Sequence, residues 1–199
     1  GLPGYGATLV VEDGGQVLGG FTLQGSLRFD TSTDTSVAMS IADLPRQGHT
    51  SQTGDTVSRL IKTGVGSLTL TGVNAYTGET RIEGGTLKAG VAGAIPAVTF
   101  LYVGADSTLD LNGHDVTVGG LSSSSTGTNP RILLGTNTFT YQSDQAGTFF
   151  GDISGDGNVV KRGEGVLTLR ESTTFTGSTT VAGGTLALRH ASNNNLASS

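Results

Sequence analysis

KTGVGSLTLTGVNAYTGETRIEGGTLK, residues 62–88, returns 99 residues later as KRGEGVLTLRESTTFTGSTTVAGGTLA, residues 161–187. The two copies share Lys62/Lys161, Gly64/Gly163, Gly66/Gly165, Leu68/Leu167, Leu70/Leu169, Gly78/Gly177, Gly84/Gly183, Gly85/Gly184 and Leu87/Leu186, together with four threonines. Tyr76/Phe175 and Ile82/Val181 keep their chemical type. What recurs is a pattern of small turns and short β segments. Repetition of this kind marks a stacked fold, whose units cannot bury their apolar faces alone.

Outside the copies the same local design continues. SLRF at 26–29, SLTL at 67–70, TLKA at 86–89, TLDL at 108–111, VLTL at 166–169 and TLAL at 185–188 alternate apolar and polar residues. Period two puts the apolar side chains of each segment on one face and Thr, Ser, Lys or Asp on the other. From first Leu to first Leu the intervals are 41 (Leu27 to Leu68), 19 (to Leu87), 22 (to Leu109) and again 19 (Leu167 to Leu186). Taking 41 as two steps, the coil is expected to be near 20 residues. No stretch has helical periodicity: ADLPRQG (42–48) is broken by Pro45 and Gly48, and KAGVAGAIPAV (88–98) by two glycines and Pro96.

Among all-β folds, a propeller blade needs about 40 residues and a sandwich needs longer hairpins. Short segments returning every 20 or so residues fit a right-handed parallel β-helix of about 8 to 10 coils, on the order of 40 Å long. The narrow interior is expected to favour Leu, Val, Ile, Ala and Thr over large aromatics. Gly84-Gly85, Gly119-Gly120 and Gly183-Gly184 are expected at corners with positive φ. A strand is expected near 37–41, an excursion over 42–55, and loop over SSSSTGTNP (122–130). Residues 1–199 read as one β-helix segment. Its ends, GLPGYG and SNNNLASS, do not look like amphipathic caps, so a piece of a longer rod is expected.

Composition narrows function by exclusion. With 33 Gly and no Cys, the chain offers neither disulfides nor thiolate metal sites. Net charge is −5 and the basic residues form no run, so nucleic acid is not an expected partner. The opening GLPGYGATLV resembles no export signal, and no apolar stretch of about 18 residues is available to span a membrane as a helix.

His49, His114 and His190 stand alone, without metal-ligand spacing. Asp152 and Asp156 in GDISGDGN (151–158) read as turn residues; an EF-hand loop would need more acids and flanking helices. No paired acids lie beside Tyr5, Tyr76, Tyr102 or Tyr141, as glycoside hydrolysis would ask. No catalytic, cofactor or metal residues are assigned, and the reading is non-enzymatic.

Residues 64–90, GVGSLTLTGVNAYTGETRIEGGTLKAG, resemble the passenger-associated repeat of bacterial autotransporters, G-x-G-x-L-x-L-x-G-x-N-x-Y-x-G-x-T-x-x-x-G-G-x-L. The matching positions are Gly64, Gly66, Leu68, Leu70, Gly72, Asn74, Tyr76, Gly78, Thr80, Gly84, Gly85 and Leu87. The second copy is degenerate, with Glu171, Thr173 and Phe175 in place of Gly72, Asn74 and Tyr76. Linking coils at 99–121 and 149–169 are similar to those between such repeats.

The resemblance implies a pertactin-like β-helix at the surface of, or secreted from, a Gram-negative bacterium. It also implies covalent continuation into a C-terminal translocator barrel lying outside this sequence, and repeats that aid folding and secretion. The function so implied is a structural and adhesive stem. Expected partners are host surface or matrix molecules or glycans. Self-association between passengers, and a glycan-active enzyme, are the alternatives.

Overall fold

The computed structural model describes residues 7–13, 21–23, 25–43, 58–125, 128–171 and 173–189, and contains no helix among them. Every strand pairing is parallel, and the strands wind as a β-helix of about eight turns. A nine-stranded sheet runs the length of the stack: Ala7–Glu12, Gly25–Asp30, Arg59–Thr63, Thr80–Ile82, Phe100–Val103, Gly120–Ser123, Gly147–Phe149, Val166–Leu169 and Thr185–Leu188.

The second face has six strands: Thr35–Val37, Ser67–Leu70, Thr86–Ala89, Thr108–Asp110, Arg131–Gly135 and Asp152–Gly155. The third is interrupted. Phe21–Leu23 pairs with Ile41–Asp43 and bridges on from Ala42 to Ala75, while Val116–Val118, Thr138–Gln142, Asn158–Arg162 and Thr179–Val181 form a separate sheet. At about 4.8 Å between strands, the nine-stranded sheet makes a rod on the order of 40 Å long.

Register explains the sequence intervals and corrects one of them. Leu68 lies beside Leu87, Leu87 beside Leu109, and Leu167 beside Leu186, so steps of 19 and 22 are single coils. Leu27, however, pairs with Leu60, and Leu68 pairs with Thr35 on the next face. The interval of 41 is therefore one long coil plus one face, not two coils. The excursion expected over 42–55 falls in that long coil and, from 44 onward, lies outside the described residues, as do His49, His190, Tyr5 and the chain's last ten residues.

Three local expectations also change. The strand expected near 37–41 is two strands, Thr35–Val37 and Ile41–Asp43, on separate faces. The serine run is not all loop, because Gly120–Ser123 is a strand of the nine-stranded sheet. Similarly Asp152–Gly155, read as a turn, is a strand, and the turn begins at Asp156.

Inside, like stacks on like. Leu27, Leu60, Leu101, Leu121 and Leu167 line one column, each fully buried. Burying a leucine stabilises by about 1.5–3 kcal/mol, and each coil supplies several such groups. The interior is nevertheless not reserved for aliphatics, since Phe29, Tyr76, Phe139, Tyr141, Phe149 and Phe175 are all buried. For Tyr141 and Tyr76 the space comes from a small residue on the next strand along the chain. A Cβ on Gly147 would sit 2.9 Å from the Tyr141 ring and hydroxyl, and the leucine column is interrupted at Thr80, where the Tyr76 hydroxyl arrives.

Corners are set by how closely backbones approach. Gly85 and Gly184 take φ of 63°, and a Cβ on Gly85 would lie 2.2 Å from the Gly66 carbonyl oxygen one coil away. Gly119-Gly120 takes no positive φ; Gly120 is small because the Phe100 ring lies over it, 2.4 Å from where a Cβ would be. These two demands can be separated. Gly85→Ala meets both clash and strained φ and should cost about 2–4 kcal/mol. Gly113→Ala, at φ 88° with nothing within 4 Å, should cost only about 1–2 kcal/mol. Urea midpoints of the two variants decide it, and equal losses would remove the stacking argument.

Candidate functional site

The sharpest feature of each repeat copy is a lysine buried in the corner. Lys62 stands in the inward-facing column between Phe29 and Ile82, and its side chain is 0% exposed. Its Nζ donates to the carbonyls of Thr63 (2.5 Å), Gly64 (2.9 Å) and Gly84 (3.2 Å). Lys161 repeats the arrangement, donating to Arg162 (2.7 Å), Gly163 (2.6 Å) and Gly183 (3.2 Å), also at 0% exposure. Two acceptors belong to the lysine's own turn and the third to the next coil, so each ammonium ties two coils together.

Three donors thus meet three acceptors. Burial pushes both amines below their ordinary value; Asp30 and Asp13 oppose this at Lys62, and Glu164 and Asp144 at Lys161. The Tyr141 ring adds a cation–π face to Lys161, 5.4 Å from Nζ to centroid.

Asn74 spans three coils. Its Oδ1 accepts from the Ile41 amide (2.7 Å) below, and its Nδ2 donates to the Ala94 carbonyl (2.6 Å) above. Nearby a buried chain of hydroxyls runs from Tyr76 to Thr80 (2.7 Å), to Thr99 (2.9 Å) and on to the Gly78 carbonyl (2.7 Å). Burial in this apolar setting raises the Tyr76 phenol well above its ordinary value.

The second copy lacks that chain's first member. Phe175 is buried in place of Tyr76, and Oγ1 of Thr179, the counterpart of Thr80, is buried with no partner among the described residues.

The repeat residues therefore divide by task. Leu68, Leu70, Leu87, Leu167 and Leu169 are buried, and Leu186 is partly so. Gly64, Gly66, Gly78, Gly163, Gly165, Gly177 and Gly184 lie where a Cβ would come within 2.5 Å of a carbonyl oxygen of the neighbouring coil. Gly84 and Gly183 are looser, at 3.0 and 3.3 Å.

The copies are not brought together. Between Lys62 and Lys161 the chain makes four circuits of the nine-stranded sheet and passes two further faces, so the second copy is turned by one face of the prism relative to the first. Lys62 is on the nine-stranded sheet and Lys161 on the four-stranded one. The lysines were missed as site residues in the sequence, although their identity at the head of both copies was the available signal.

Comparison with known proteins now bears on this geometry. The passenger-associated-transport-repeat family matches residues 60–89 and 159–188, enclosing both copies. The chain is 35% identical over 171 residues to "Adhesin BmaC autotransporter" of Brucella suis biovar 1 (strain 1330), covering 84% of this chain and 5% of that protein. It is 31% identical over 154 residues to "Probable autotransporter YfaL" of Escherichia coli (strain K12), covering 75% of this chain and 12% of that one. No solved structure matches it significantly.

The chain is a segment of an autotransporter passenger. That places it on the surface of, or secreted from, a Gram-negative bacterium. It spans about a twentieth and an eighth of the relatives' lengths.

Carboxylates of the passenger stitch successive coils. Asp34 accepts from the Ser67 amide and hydroxyl (3.2 and 2.7 Å), which together hold its carboxyl below the ordinary value. Asp13 receives the Ser32 hydroxyl and amide in the same way, and its carboxyl too lies below the ordinary value. Asp43 takes Ser58 N (2.8 Å) and the Thr77 hydroxyl (2.6 Å), Asp152 takes Thr174 (3.1 Å), and Asp156 takes Thr176 (2.8 Å). Among the described residues no group of three or more acids or histidines converges as a metal site.

Two substitutions test the polar interior. Lys62→Met fills a similar volume but leaves three carbonyls without their donor, and should lower unfolding free energy by about 1–3 kcal/mol; a variant as stable as the parent would show the cage to be dispensable. Phe175→Tyr gives Thr179 the hydroxyl neighbour that Thr80 has, and should raise the stability by about 0.5–1.5 kcal/mol in chemical denaturation. A loss there would mean the second copy has no room for the oxygen.

Proposed function

We propose that this segment is a rigid, non-catalytic stem of a surface adhesin, and that its two repeats are clamps that fix coil register as the passenger folds outside the cell. The observation carrying this reading is the duplicated lysine cage: the same donor binds the same three carbonyl positions in both copies, across different faces of the rod. A clamp needs only its own turn and the following coil. It is therefore complete as soon as one coil lies on the next, and each such interface contributes independently in a stacked fold.

The name of the Brucella relative supports the adhesive part. Engagement of Asp34, Asp43, Asp152 and Asp156 with the next coil supports a non-catalytic role, since carboxylates so bonded are not poised as an acid–base pair. Deleting residues 64–90 from the full-length protein should reduce surface display several-fold, measured by antibody labelling of intact cells. Display at the parental level would refute the clamp.

A further inference from the structure

The segment is acidic overall, yet one place on its surface is cationic and forms no ion pair among the described residues. Phe150, Arg170 and Arg189 occupy equivalent positions in three successive coils, at the ends of neighbouring strands of the nine-stranded sheet. The Arg170 amide donates to the Phe149 carbonyl (2.9 Å) and the Arg189 amide to that of Leu169 (2.8 Å). The two arginines are thus one coil apart, about 4.8 Å along the rod. Thr148 and Thr168 pair on the outer face just before them. These five residues line an open depression of about 350 Å³ that includes no carboxylate.

Charge is treated differently elsewhere on this sheet. Arg59 and Arg81 are paired with Glu79 and Glu83, at 2.9 to 4.0 Å. Arg170 and Arg189 make no ion pair among the described residues; the guanidinium of Arg170 lies over the Phe150 ring, 5.2 Å from its centroid. Glu171, next in sequence to Arg170, has a partner of its own.

A stacked guanidinium is held in orientation while its N–H edge stays available, and a planar fork matches an oxyanion. The two threonine hydroxyls both donate and accept, as hydroxyl-rich ligands require, and two cations are too few for the phosphate array of a nucleic acid.

We propose that this depression binds an acidic saccharide, a sugar unit carrying sulfate or carboxylate. Arg170 and Arg189 take the anionic group, Thr148 and Thr168 take ring hydroxyls, and Phe150 supplies an apolar edge. The inference gives the adhesive reading a place and a ligand class, and rests on that reading only for access to extracellular glycans.

The test uses the full-length passenger and immobilised heparin (sulfated), polygalacturonate (carboxylated) and neutral dextran. The parent should bind at least one acidic polymer, more weakly as salt rises, and dextran at least tenfold less. Binding to heparin alone assigns sulfate, to polygalacturonate alone carboxylate, and to both the shared anion. Arg170→Gln with Arg189→Gln should lower that binding at least tenfold while thermal unfolding and surface display stay at parental values, since both side chains are exposed. Parental affinity in the double variant, equal binding to dextran, or no binding to either acidic polymer overturns the site. None of those outcomes touches the clamp, which is judged by display of the deletion.

Discussion

Backbone sits on backbone at the corners of this rod, and that close approach governs what residues may stand there. Where a coil turns from one face to the next, the position of an added β-carbon falls on the carbonyl oxygen of the neighbouring coil, at 2.3 Å for Gly64 and Gly66 and 2.0 Å for Gly165. Glycine is required there by contact as much as by dihedral angle, because most of these positions have ordinary φ. The strands between corners are short, three to six residues, so little apolar surface belongs to any single coil. Stability accumulates by piling coils, and the piling depends on corners that fit.

Corners also turn several carbonyls inward, away from the ladders. Satisfying them with a charged side chain carries a desolvation cost, which is why buried lysines are rare. The cost is offset here because all three ammonium donors find acceptors in one turn and the next coil. Asn74 solves the same problem with a neutral amide, reaching down and up at once. Around the outside, aspartates serve the opposite set of groups, their carboxylates accepting from amides and hydroxyls of the following coil. Three chemistries thus serve one purpose, to connect a coil to the next where the sheet hydrogen bonds stop.

Much of the architecture could be read from the residues. Alternation in SLTL, TLKA and VLTL marked strands, and leucines returning after 19 to 22 residues marked the coil, because register makes like positions coincide. Reading failed where one coil is longer than the others: equal-looking leucines at 27 and 68 lie on different faces, and spacing alone carries no face label. Tyr76 and Phe175 recur with the repeat, which favours packing. The burial of Phe29, Phe139, Tyr141 and Phe149 is not visible in the alternation, which does not show which interior positions a gap such as Gly147 leaves open. Lysine was passed over for a similar reason. Its long polar side chain reads as solvent-facing in an alternating strand, and only the stacking of the next coil brings Gly84 or Gly183 to its amine. The arginine depression shows no motif at all, since Thr148, Arg170 and Arg189 meet through coil stacking alone.

The offset of 99 residues between the copies is not a whole number of coils. Viewed down the rod, matching residues of the two copies therefore point along azimuths about a third of a revolution apart. A flat partner lying along one side of the stem would meet non-matching residues of the two copies, since each copy places strands on the nine-stranded sheet. Duplication here multiplies internal fastening without creating a bivalent surface, and the outer faces of the two copies are free to diverge in sequence.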